Sequence, residues 1–569
     1  MRPAILLSLI TPVFAVALEP LDRFKPKEPV PLAKEKNTQP EAKPSTAKAK
    51  RGNDSVGLKL RGLVFVPGKQ QVRSGGVKGI SGVRTEDVPF IDRPDFTARM
   101  QKFIGEPVSL DLVNAIAAET VRYFSQHDHP VVGVVAPKQD ITSGTVQFVV
   151  TEARLGEVRV AGNKHFRTSL FKVGLHPGDA IVMSELEGAA AFYGRNPFRS
   201  VSAELSPGKH SGETDVTLRV QDKLPLRVFA GYDNSGVKST DENRLFTGFN
   251  YGNVFGIGDE FSYQFSASPD FQRLLAHSAT WTVPLPWHHL FQVSGAYSES
   301  HPNLGPGFNQ SGQSWQLGAH YIMPLRGTAR FSHELTLGFD FKSTNNNLQF
   351  GGVQVFQTPV EIGEFSLGYS GTLKDQWGST SFAVTGFWSP GGIGSHNNNT
   401  DFAAARSGSK ADYFYATLGL DRTTKLPLGC TWSLSVKGQL SDGNLQSTEQ
   451  FLLGGQNTVR GYAELVATGD QGVLMRNEIY APSFSVGHLV GCKKAQDHFQ
   501  FLAFHDIGYT EVKHPLIGEN KGTTLQSAGL GARWQIKSNL SAHFDYGWQI
   551  DDIGLKDKSR AHIGVTLSY

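Results

Sequence analysis

Two short motifs contain the residues of this sequence that are best suited to a strong ionic interaction: Val459-Arg460-Gly461-Tyr462, in a long loop, and Phe504-x-Asp506-x-Gly508, in a later alternating stretch. A guanidinium presents a planar fork that a carboxylate accepts through two parallel hydrogen bonds, and a glycine lets the backbone turn tightly beside it. If the two charges do not meet, each is an independent solvated charge. The chemistry that these residues offer is binding, not bond making.

Catalytic and metal-binding motifs are missing from the sequence. It contains no G-x-x-x-x-G-K-[ST] phosphate loop, no H-E-x-x-H zinc helix and no G-x-S-x-G elbow. The histidines are scattered, and His288-His289 beside Trp287 indicates a turn or an interfacial feature. The net charge of +3 provides no field that would attract nucleic acid. We therefore expect no enzyme activity, no cofactor, no metal and no nucleic-acid partner.

The first seventeen residues predict export. A basic residue, an apolar stretch and Ala15-Val16-Ala17 fit a signal peptide that is cleaved before Leu18. An N-terminal membrane anchor is the alternative, but the apolar run is shorter than the ~20 residues that a spanning helix needs. In an oxidising periplasm Cys430 and Cys492 could form one disulfide, although two cysteines without C-x-x-C spacing make neither a disulfide framework nor a redox motif.

Residues 18–55 are rich in Pro, Lys and Ala and nearly lack aromatic residues, so they predict a disordered linker. Two small α+β modules follow, at 56–154 and 155–222. The first is expected to run strand, helix, strand, strand, at 58–66, from Ser109, at 131–135 and at 145–150. Its Gly-rich insert, roughly 67–85, has no role that the sequence explains.

The second module repeats the same order of elements. A strand at 156–160 precedes a helix that Ser184 opens with Glu187 three residues later, the spacing of a capping box. Two further strands, near 200–205 and 214–220, complete it. Each module is too small to bury a large core, so we expect it to pack against a neighbour.

From 223 to 569 strict alternation of apolar and polar residues replaces helical periodicity. Residues 261–267 place rings on one face and hydroxyls and amides on the other, and residues 335–342 place charges on the polar face. One such strand would also fit a soluble sandwich, whereas sixteen predict a transmembrane antiparallel β-barrel with an aqueous lumen. Tight turns alternate with long polar connections, which we expect at 343–362 and 390–410.

The sequence resembles the two-partner secretion transporters related to haemolysin secretion/activation proteins. Val459-Arg460-Gly461-Tyr462 is similar to the loop-six motif of their superfamily, which also contains the barrel-assembly insertase, and Phe504-x-Asp506-x-Gly508 is similar to its strand motif. The motifs fall in the sixth long loop and the thirteenth strand of our count. Weaker similarities extend over nearly the whole mature chain: residues 137–139, 194–199 and 233–236.

The resemblance implies an outer-membrane barrel, preceded by two periplasmic polypeptide-transport-associated (POTRA) modules and acting as a monomer. It implies that the long loop folds back into the lumen, where Arg460 pairs with Asp506 on the barrel wall. In a wet lumen this pair should contribute less than the ~3–5 kcal/mol of a fully buried one. Related transporters often have an N-terminal helix that plugs the lumen, whereas residues 18–55 are too Pro-rich to predict one.

The partners that the resemblance implies are the lipid bilayer and a secreted, β-helical exoprotein. An open sheet edge of a module can accept an extended client as an added strand, although the modules could instead only brace the barrel. Two alternative functions remain open: an insertase that acts through the barrel seam, and a passive porin, which would not need two soluble modules.

Overall fold

The structure is a computed structural model that describes residues 21–29, 57–210, 212–303, 308–328, 330–350, 353–492 and 496–569. The described residues form two compact units. One consists of 57–195 and 199–223, and the other consists of 21–29, 196–198 and the chain from 224 onward. The predicted signal peptide lies outside the described residues. None of the described helices is long and apolar enough to cross a membrane.

The first module has one more strand and one more helix than the sequence predicts. Its elements are β1 Gly62–Val66, β2 Gly82–Thr85, α1 Pro94–Gln101, α2 Leu110–Gln126, β3 Val132–Val135 and β4 Thr145–Glu152. The sheet order is β2-β1-β4-β3. Ser109 caps α2 by accepting a hydrogen bond from the Leu112 amide, and α2 buries Ile116 and Tyr123 against the sheet. Strands as short as β2 and helices as short as α1 leave too little periodicity to be found in the sequence.

The Gly-rich insert of the first module forms an additional edge of its sheet. Its last residues are β2, which pairs in parallel with β1. Before β2, the backbone amide of Arg73 donates to Oε1 of Gln147 over 2.9 Å, and Nε2 of Gln147 donates back to the Arg73 carbonyl over 2.8 Å. Gln139, in the turn before β4, donates to the Pro137 carbonyl and to the backbone of Gln147. The insert therefore covers the outer edge of β1 and leaves β3 as the opposite edge.

The second module contains β5 Arg154–Ala161, α3 Met183–Tyr193, β6 Arg199–Pro207 and β7 Glu213–Asp222, in a sheet ordered β5-β7-β6. The predicted capping box is wrong. The helix begins at Met183, its N-cap residue is Val182, and no side chain caps it from that position. Ser184 instead directs both its amide and its hydroxyl to the carboxylate of Asp128, because that carboxylate satisfies two donors of the first turn at once.

The structure confirms a closed antiparallel barrel of sixteen strands. The strands in order are β8 Leu226–Asp233, β9 Arg244–Tyr251, β10 Glu260–Ala267, β11 Leu274–Pro284, β12 Leu290–Ser300, β13 Phe308–Pro324, β14 Phe331–Phe350, β15 Val353–Lys374, β16 Gly378–Pro390, β17 Asp412–Lys425, β18 Thr431–Ser441, β21 Gln471–Tyr480, β22 Asp497–Glu511, β23 Gly522–Ile536, β24 Leu540–Gln549 and β25 Ser559–Ser568. We call the end where β8 begins the near end and the opposite end the far end.

Four further elements lie in the connections of the barrel: α4 Asn399–Ala405, β19 Phe451–Leu453, β20 Ala467–Gly469 and α5 Val486–Leu489. The remaining helical segments are single 3-10 turns at Leu21–Phe24, Lys69–Gln71, Pro89–Ile91, Thr168–Leu170, Lys238–Thr240 and Pro427–Gly429. Along β10, Ser262 and Gln264 are buried in the lumen whereas the rings of Phe261 and Tyr263 are more exposed. This is the alternation that the sequence predicts for a barrel with lipid outside and polar groups inside.

Two connections that the sequence predicts as long polar loops are structured. Residues 343–350 and 353–362 continue β14 and β15 as paired strands beyond the predicted strand ends, because polar residues can form a backbone ladder as well as apolar ones. Residues 390–410 contain α4, whose Phe402 is fully buried. A single large apolar residue in a polar segment gives no periodic signal.

The predicted disordered linker contains an ordered segment. Residues 21–29 belong to the same unit as the barrel, and Leu21 and Phe24 pack against Leu274 and Ala276 of β11, on the inner wall. Lys27 donates from its backbone to Gln264. Tertiary contacts with the barrel order this segment, although its composition alone does not favour structure. The rest of the linker, residues 18–20 and 30–55, lies outside the described residues.

The two cysteines do not form the disulfide that the sequence left open. Cys430 and Cys492 are both free. Cys430 directly precedes β18, whereas Cys492 follows α5 in the connection between β21 and β22. The two cysteines therefore lie in different turns of the barrel.

The seam between β25 and β8 has the shortest pairing in the described barrel, from Gly564↔Asp233 to Ser568↔Phe229. Asn234 extends it. The side-chain amide of Asn234 donates to the Ala561 carbonyl over 2.8 Å, and its side-chain oxygen accepts from the Ile563 amide over 2.8 Å. The side chain of Asn234 thus replaces backbone bonds that the short ladder lacks.

We expect Asn234→Ala to weaken the seam by ~1–2 kcal/mol, because two hydrogen bonds to β25 are lost. The measurement is the temperature at which the compact, detergent-resistant band disappears on a gel after a fixed heating time. Asn234→Asp keeps the acceptor for the Ile563 amide and should lie between the alanine variant and the parent. An alanine variant as heat-resistant as the parent would contradict this role.

Candidate functional site

The connection between β18 and β21, residues 442–470, which we call loop six, turns into the lumen. Its two arms pair as β19 and β20, and its tip follows at 454–462. Gly454, Gly455 and Gly461 have φ angles of 97°, 106° and 88°, a region that L side chains rarely adopt. The glycines therefore let the tip fold back on itself between the two arms.

Arg460, at the tip of loop six, meets Asp506 on the barrel wall. Nε of Arg460 lies 2.7 Å from Oδ2 of Asp506, and Nη2 lies 2.8 Å from Oδ1, a bidentate contact. The backbone amide of Arg460 also donates to Oδ2 over 3.2 Å. Both side chains are fully buried. The pair is drier than the wet lumen that we expected, so breaking it should cost on the order of 3–5 kcal/mol.

Further charges surround this pair. Nη1 of Arg460 donates to Glu478 over 2.7 Å and lies 3.7 Å from a carboxylate oxygen of Asp545. Arg476 lies within 3.6 Å of both Glu478 and Asp506, and Arg533 makes a bidentate contact with Asp545. Three guanidiniums thus meet three carboxylates. The cluster is formally neutral, which lowers the cost of burying it.

The three residues of the strand motif fill one face of β22, because alternate residues of a strand share a face. The ring of Phe504 lies under the Arg460 guanidinium, with its centroid 3.6 Å away, close enough for a cation–π contact. Asp506 is the bidentate acceptor. A Cβ on Gly508 would lie 2.7 Å from Leu453 and 3.2 Å from Val459, so the missing side chain leaves room for the apolar base of the tip.

The other residues of the loop motif, Val459, Gly461 and Tyr462, also hold the tip, through close packing and through the Tyr462 hydroxyl. Val459 and Tyr462 are buried in one apolar cluster. The Tyr462 hydroxyl lies 3.0 Å from the Gln526 carbonyl and 2.9 Å from the Asp551 carbonyl. Gly461 packs against Gly547 of β24, where a Cβ on Gly461 would lie 2.9 Å from the Gly547 backbone. The tip is therefore in contact with wall strands on both sides of β23.

The base of loop six is fixed at the far end by Asp470. This fully buried carboxylate accepts from the Arg406 guanidinium and from the backbone amides of Leu445 and Lys513, the latter two over 2.9 Å. Arg406 follows α4, and Lys513 lies in the connection after β22. One carboxylate thus holds three far-end connections together.

A second buried ionic cluster lies beside this closure. Nζ of Lys342 donates to Glu449 of loop six over 2.7 Å and to Glu364 of β15 over 3.4 Å. The hydroxyls of Tyr413 and Tyr415 donate to Glu364 and Glu449, respectively, each over 2.8 Å. Every charge in the cluster has a partner, as burial requires.

The N-terminal segment and a polar cavity also lie inside the barrel. Nη2 of Arg23 lies 2.8 Å from Oε2 of Glu464, and the Glu464 carboxylate also accepts from the amide of Gln456 at the tip. A cavity of about 470 Å³ adjoins the tip and is lined by polar groups that include His498 and Arg533. The Arg23–Glu464 ion pair therefore links the segment to loop six inside the barrel.

The structure brings together the residues of both motifs, which lie more than forty positions apart in the sequence. Sequence reasoning missed Arg476, Glu478 and Asp545, although each is a charged residue at an inward position of an alternating strand. That position was the only available signal, because an inward charge in a barrel usually meets water instead of a partner. Within the described residues no group of three or more His, Cys, Asp or Glu side chains could hold a metal ion.

Comparison with known proteins identifies similar families and structures. A family model described as haemolysin secretion/activation protein ShlB/FhaC/HecB matches residues 212–534, and a model of the ShlB-type POTRA domain matches residues 79–153. The heme/hemopexin transporter protein HuxB of Haemophilus influenzae (strain 86-028NP) is 26% identical over 488 residues, covering 83% of each chain. The outer membrane transporter CdiB of Dickeya dadantii (strain 3937) is 24% identical over 412 residues, covering 70% of this chain and 71% of its own.

Solved structures show the same fold. CdiB from Escherichia coli superposes with a TM-score of 0.75 at 18% identity and covers 95% of this chain and 94% of its own. CdiB from Acinetobacter baumannii gives a TM-score of 0.67 at 16% identity, with 96% and 95% covered. Identities this low support the architecture, whereas the roles of individual residues depend on the contacts described above.

We expect Gly461→Ala to displace the tip of loop six, because the new Cβ would meet the Gly547 backbone and the positive φ would be strained. A spin label on the tip should become more mobile. Gly443→Ala is the matched control in the same loop, since a Cβ there meets nothing within 4 Å. Equal label mobility in the Gly461 variant and the Gly443 control would show that the close approach does not hold the tip.

Proposed function

Because the chain belongs to the haemolysin secretion/activation protein family, we propose that the Arg460–Asp506 contact is the latch of a two-partner secretion pore. The protein is an outer-membrane pore with periplasmic N-terminal modules, and it translocates a partner exoprotein. The observation that supports the latch is the buried bidentate contact of Arg460 inside a closed barrel. The near end is then the periplasmic end, and the far end is the extracellular one.

The latch holds loop six against the wall from β21 to β25, so that the client passes beside it. The N-terminal segment lies against the other wall, where Leu21 and Phe24 contact β11. During transport this segment leaves the lumen and the Arg23–Glu464 ion pair breaks. That pair is one partly buried contact, and it is easier to break than the latch, whose two partners are fully buried.

The first module captures the client at the free edge of β3. In the pairing of β3 with β4, the Ala153 amide donates to the Val131 carbonyl, and Val132↔Glu152 is the next pair. Antiparallel pairs alternate between bonded and non-bonded, so the amides of Val132 and Val134 point away from β4. These groups can bond to an added client strand, whereas the insert covers the edge of β1 on the other side.

The client is an extended chain that folds outside, into a β-helix. Recognition through backbone bonds tolerates varied side chains, and folding at the far end gives the transport its direction, since the sequence contains no nucleotide-binding motif. The pore makes and breaks no covalent bond in this scheme.

An insertase for other barrels is the second candidate. The observation that favours it is the seam between β25 and β8, whose strand pairing is the shortest in the described barrel, so that a lateral opening there would unpair the fewest residues. Deletion of the gene separates the two functions. Loss of one exoprotein from the medium supports secretion, whereas loss of many barrels from the outer membrane supports insertion.

We expect Arg460→Ala to lower secretion by about tenfold or more while the barrel stays in the membrane. Removal of the guanidinium leaves buried carboxylates without compensation, at a cost of about 3–5 kcal/mol, and about 1.4 kcal/mol is enough for a tenfold change in occupancy. Arg460→Lys keeps the charge without the planar fork and should secrete at an intermediate level. Secretion is measured as the cognate exoprotein in the medium, relative to the transporter in the outer membrane.

The matched control for the latch is Arg422→Ala. Arg422 makes a two-pronged contact with Asp375 at the near end, where both partners are partly exposed and the pair should contribute little. This variant should secrete like the parent. Parental secretion by Arg460→Ala in the same cells would be decisive against the latch.

We expect Val134→Pro to reduce binding of the client to the first module of the full-length transporter. Proline removes an outward amide of β3 without breaking the bonds between β3 and β4. Val134→Ala shortens the same side chain but keeps the amide. The readout is cross-linking of the client's N-terminal region to the full-length transporter in membranes. Similar cross-linking in both variants would mean that the client does not dock on this edge.

A further inference from the structure

The tip of loop six has a second set of contacts, on the last two strands of the barrel. The Gly461 amide donates to Nε2 of His562, on β25, over 3.2 Å. Nε2 of Gln549, on β24, donates to the Gly461 carbonyl over 2.7 Å. Side chains of the wall thus bond both the amide and the carbonyl of a single residue, and that residue directly follows the latch arginine.

We propose that His562, together with Gln549, is a positioning residue that fixes the tip through the Gly461 backbone. The inference rests on the proposed latch and extends it. In this arrangement the tip is held from two sides, by the ion pair on β22 and by backbone bonds to side chains of β24 and β25.

The chemistry of His562 fits an acceptor for the tip. The ring is fully buried, and its register partner on β24 is Asp545, a member of the charge cluster. Because the Gly461 amide can only donate, Nε2 must be unprotonated, which places the proton on Nδ1. Nδ1 has no hydrogen-bond partner among the described residues. Among the described residues, the bond to Gly461 is thus the hydrogen bond that this buried ring makes.

The contacts of Arg460 with Asp506 hold the tip on the β22 side, through both the guanidinium and the backbone amide. The Gly461 backbone is bonded separately, to side chains of β24 and β25. The backbone is fixed where Gly461 and Gly547 meet, since a Cβ on Gly547 would lie 2.7 Å from the Gly461 nitrogen. At this close approach the side chains of His562 and Gln549 reach the Gly461 backbone.

The experiment measures the mobility of the tip and secretion in the full-length protein. In a background with Cys430→Ser and Cys492→Ser, a nitroxide is attached at Asn457→Cys, an exposed position of the tip. His562→Leu removes the acceptor at similar volume, and His562→Gln supplies a carbonyl oxygen that can accept instead. We expect greater label mobility and several-fold lower secretion for His562→Leu, with near-parental values for His562→Gln.

Each outcome bears on the proposal. Parental mobility and secretion in His562→Leu overturn it, and so does equal loss in the Leu and Gln variants, because that result indicates packing and not an acceptor. If His562→Leu does not assemble, Gln549→Met removes the other bond to Gly461, and parental behaviour of that variant overturns the proposal instead. Arg460→Ala in the same background tests the latch separately from the role of His562. If Arg460→Ala secretes normally, the proposal of the latch is wrong.

Discussion

The burial of the Arg460 guanidinium is the constraint on which the rest of the lumen depends. A buried cation is tolerated only when carboxylates replace its water, and Arg460 has them from β21, β22 and β24. These strands present the carboxylates on one inner surface only in the observed register, because a slip of one residue would turn the inward side chains of a strand to the lipid. The closed barrel and the folded loop therefore stabilise each other.

The same rule explains how loop six is held along its whole length. Its base carries Asp470, whose buried carboxylate takes the Arg406 guanidinium and two backbone amides, and its first arm carries Glu449, which takes Lys342. A loop fixed by buried charges at both its base and its tip moves only if several of them lose their partners together. The N-terminal segment is held differently: besides the Arg23–Glu464 ion pair and the apolar contact of Leu21 and Phe24, its bonds run between its backbone and polar side chains of the wall, such as Gln264 and Asn250.

Much of the fold could be predicted from the sequence, because alternation with period two follows directly from a strand with lipid on one side and polar groups on the other. The predictions that were wrong concern segments in which this alternation is not required. The hairpin at 343–362 extends beyond the lipid, and α4 depends on one buried ring. The order of residues 21–29 also comes from distant strands, and local composition contains no signal for contacts of that kind.

For the site, the sequence by itself determined which residue types are present and in which motifs: an arginine beside a glycine in a long loop, and an aromatic residue, an aspartate and a glycine on one face of a strand. Only the tertiary structure decided which carboxylates join Asp506, that the Arg460–Asp506 pair is fully buried, and that His562 and Gln549 bond the Gly461 backbone. The physical reason is that these contacts join residues as many as 101 positions apart. Barrel closure brings those positions together, and closure depends on the pairing of all sixteen strands.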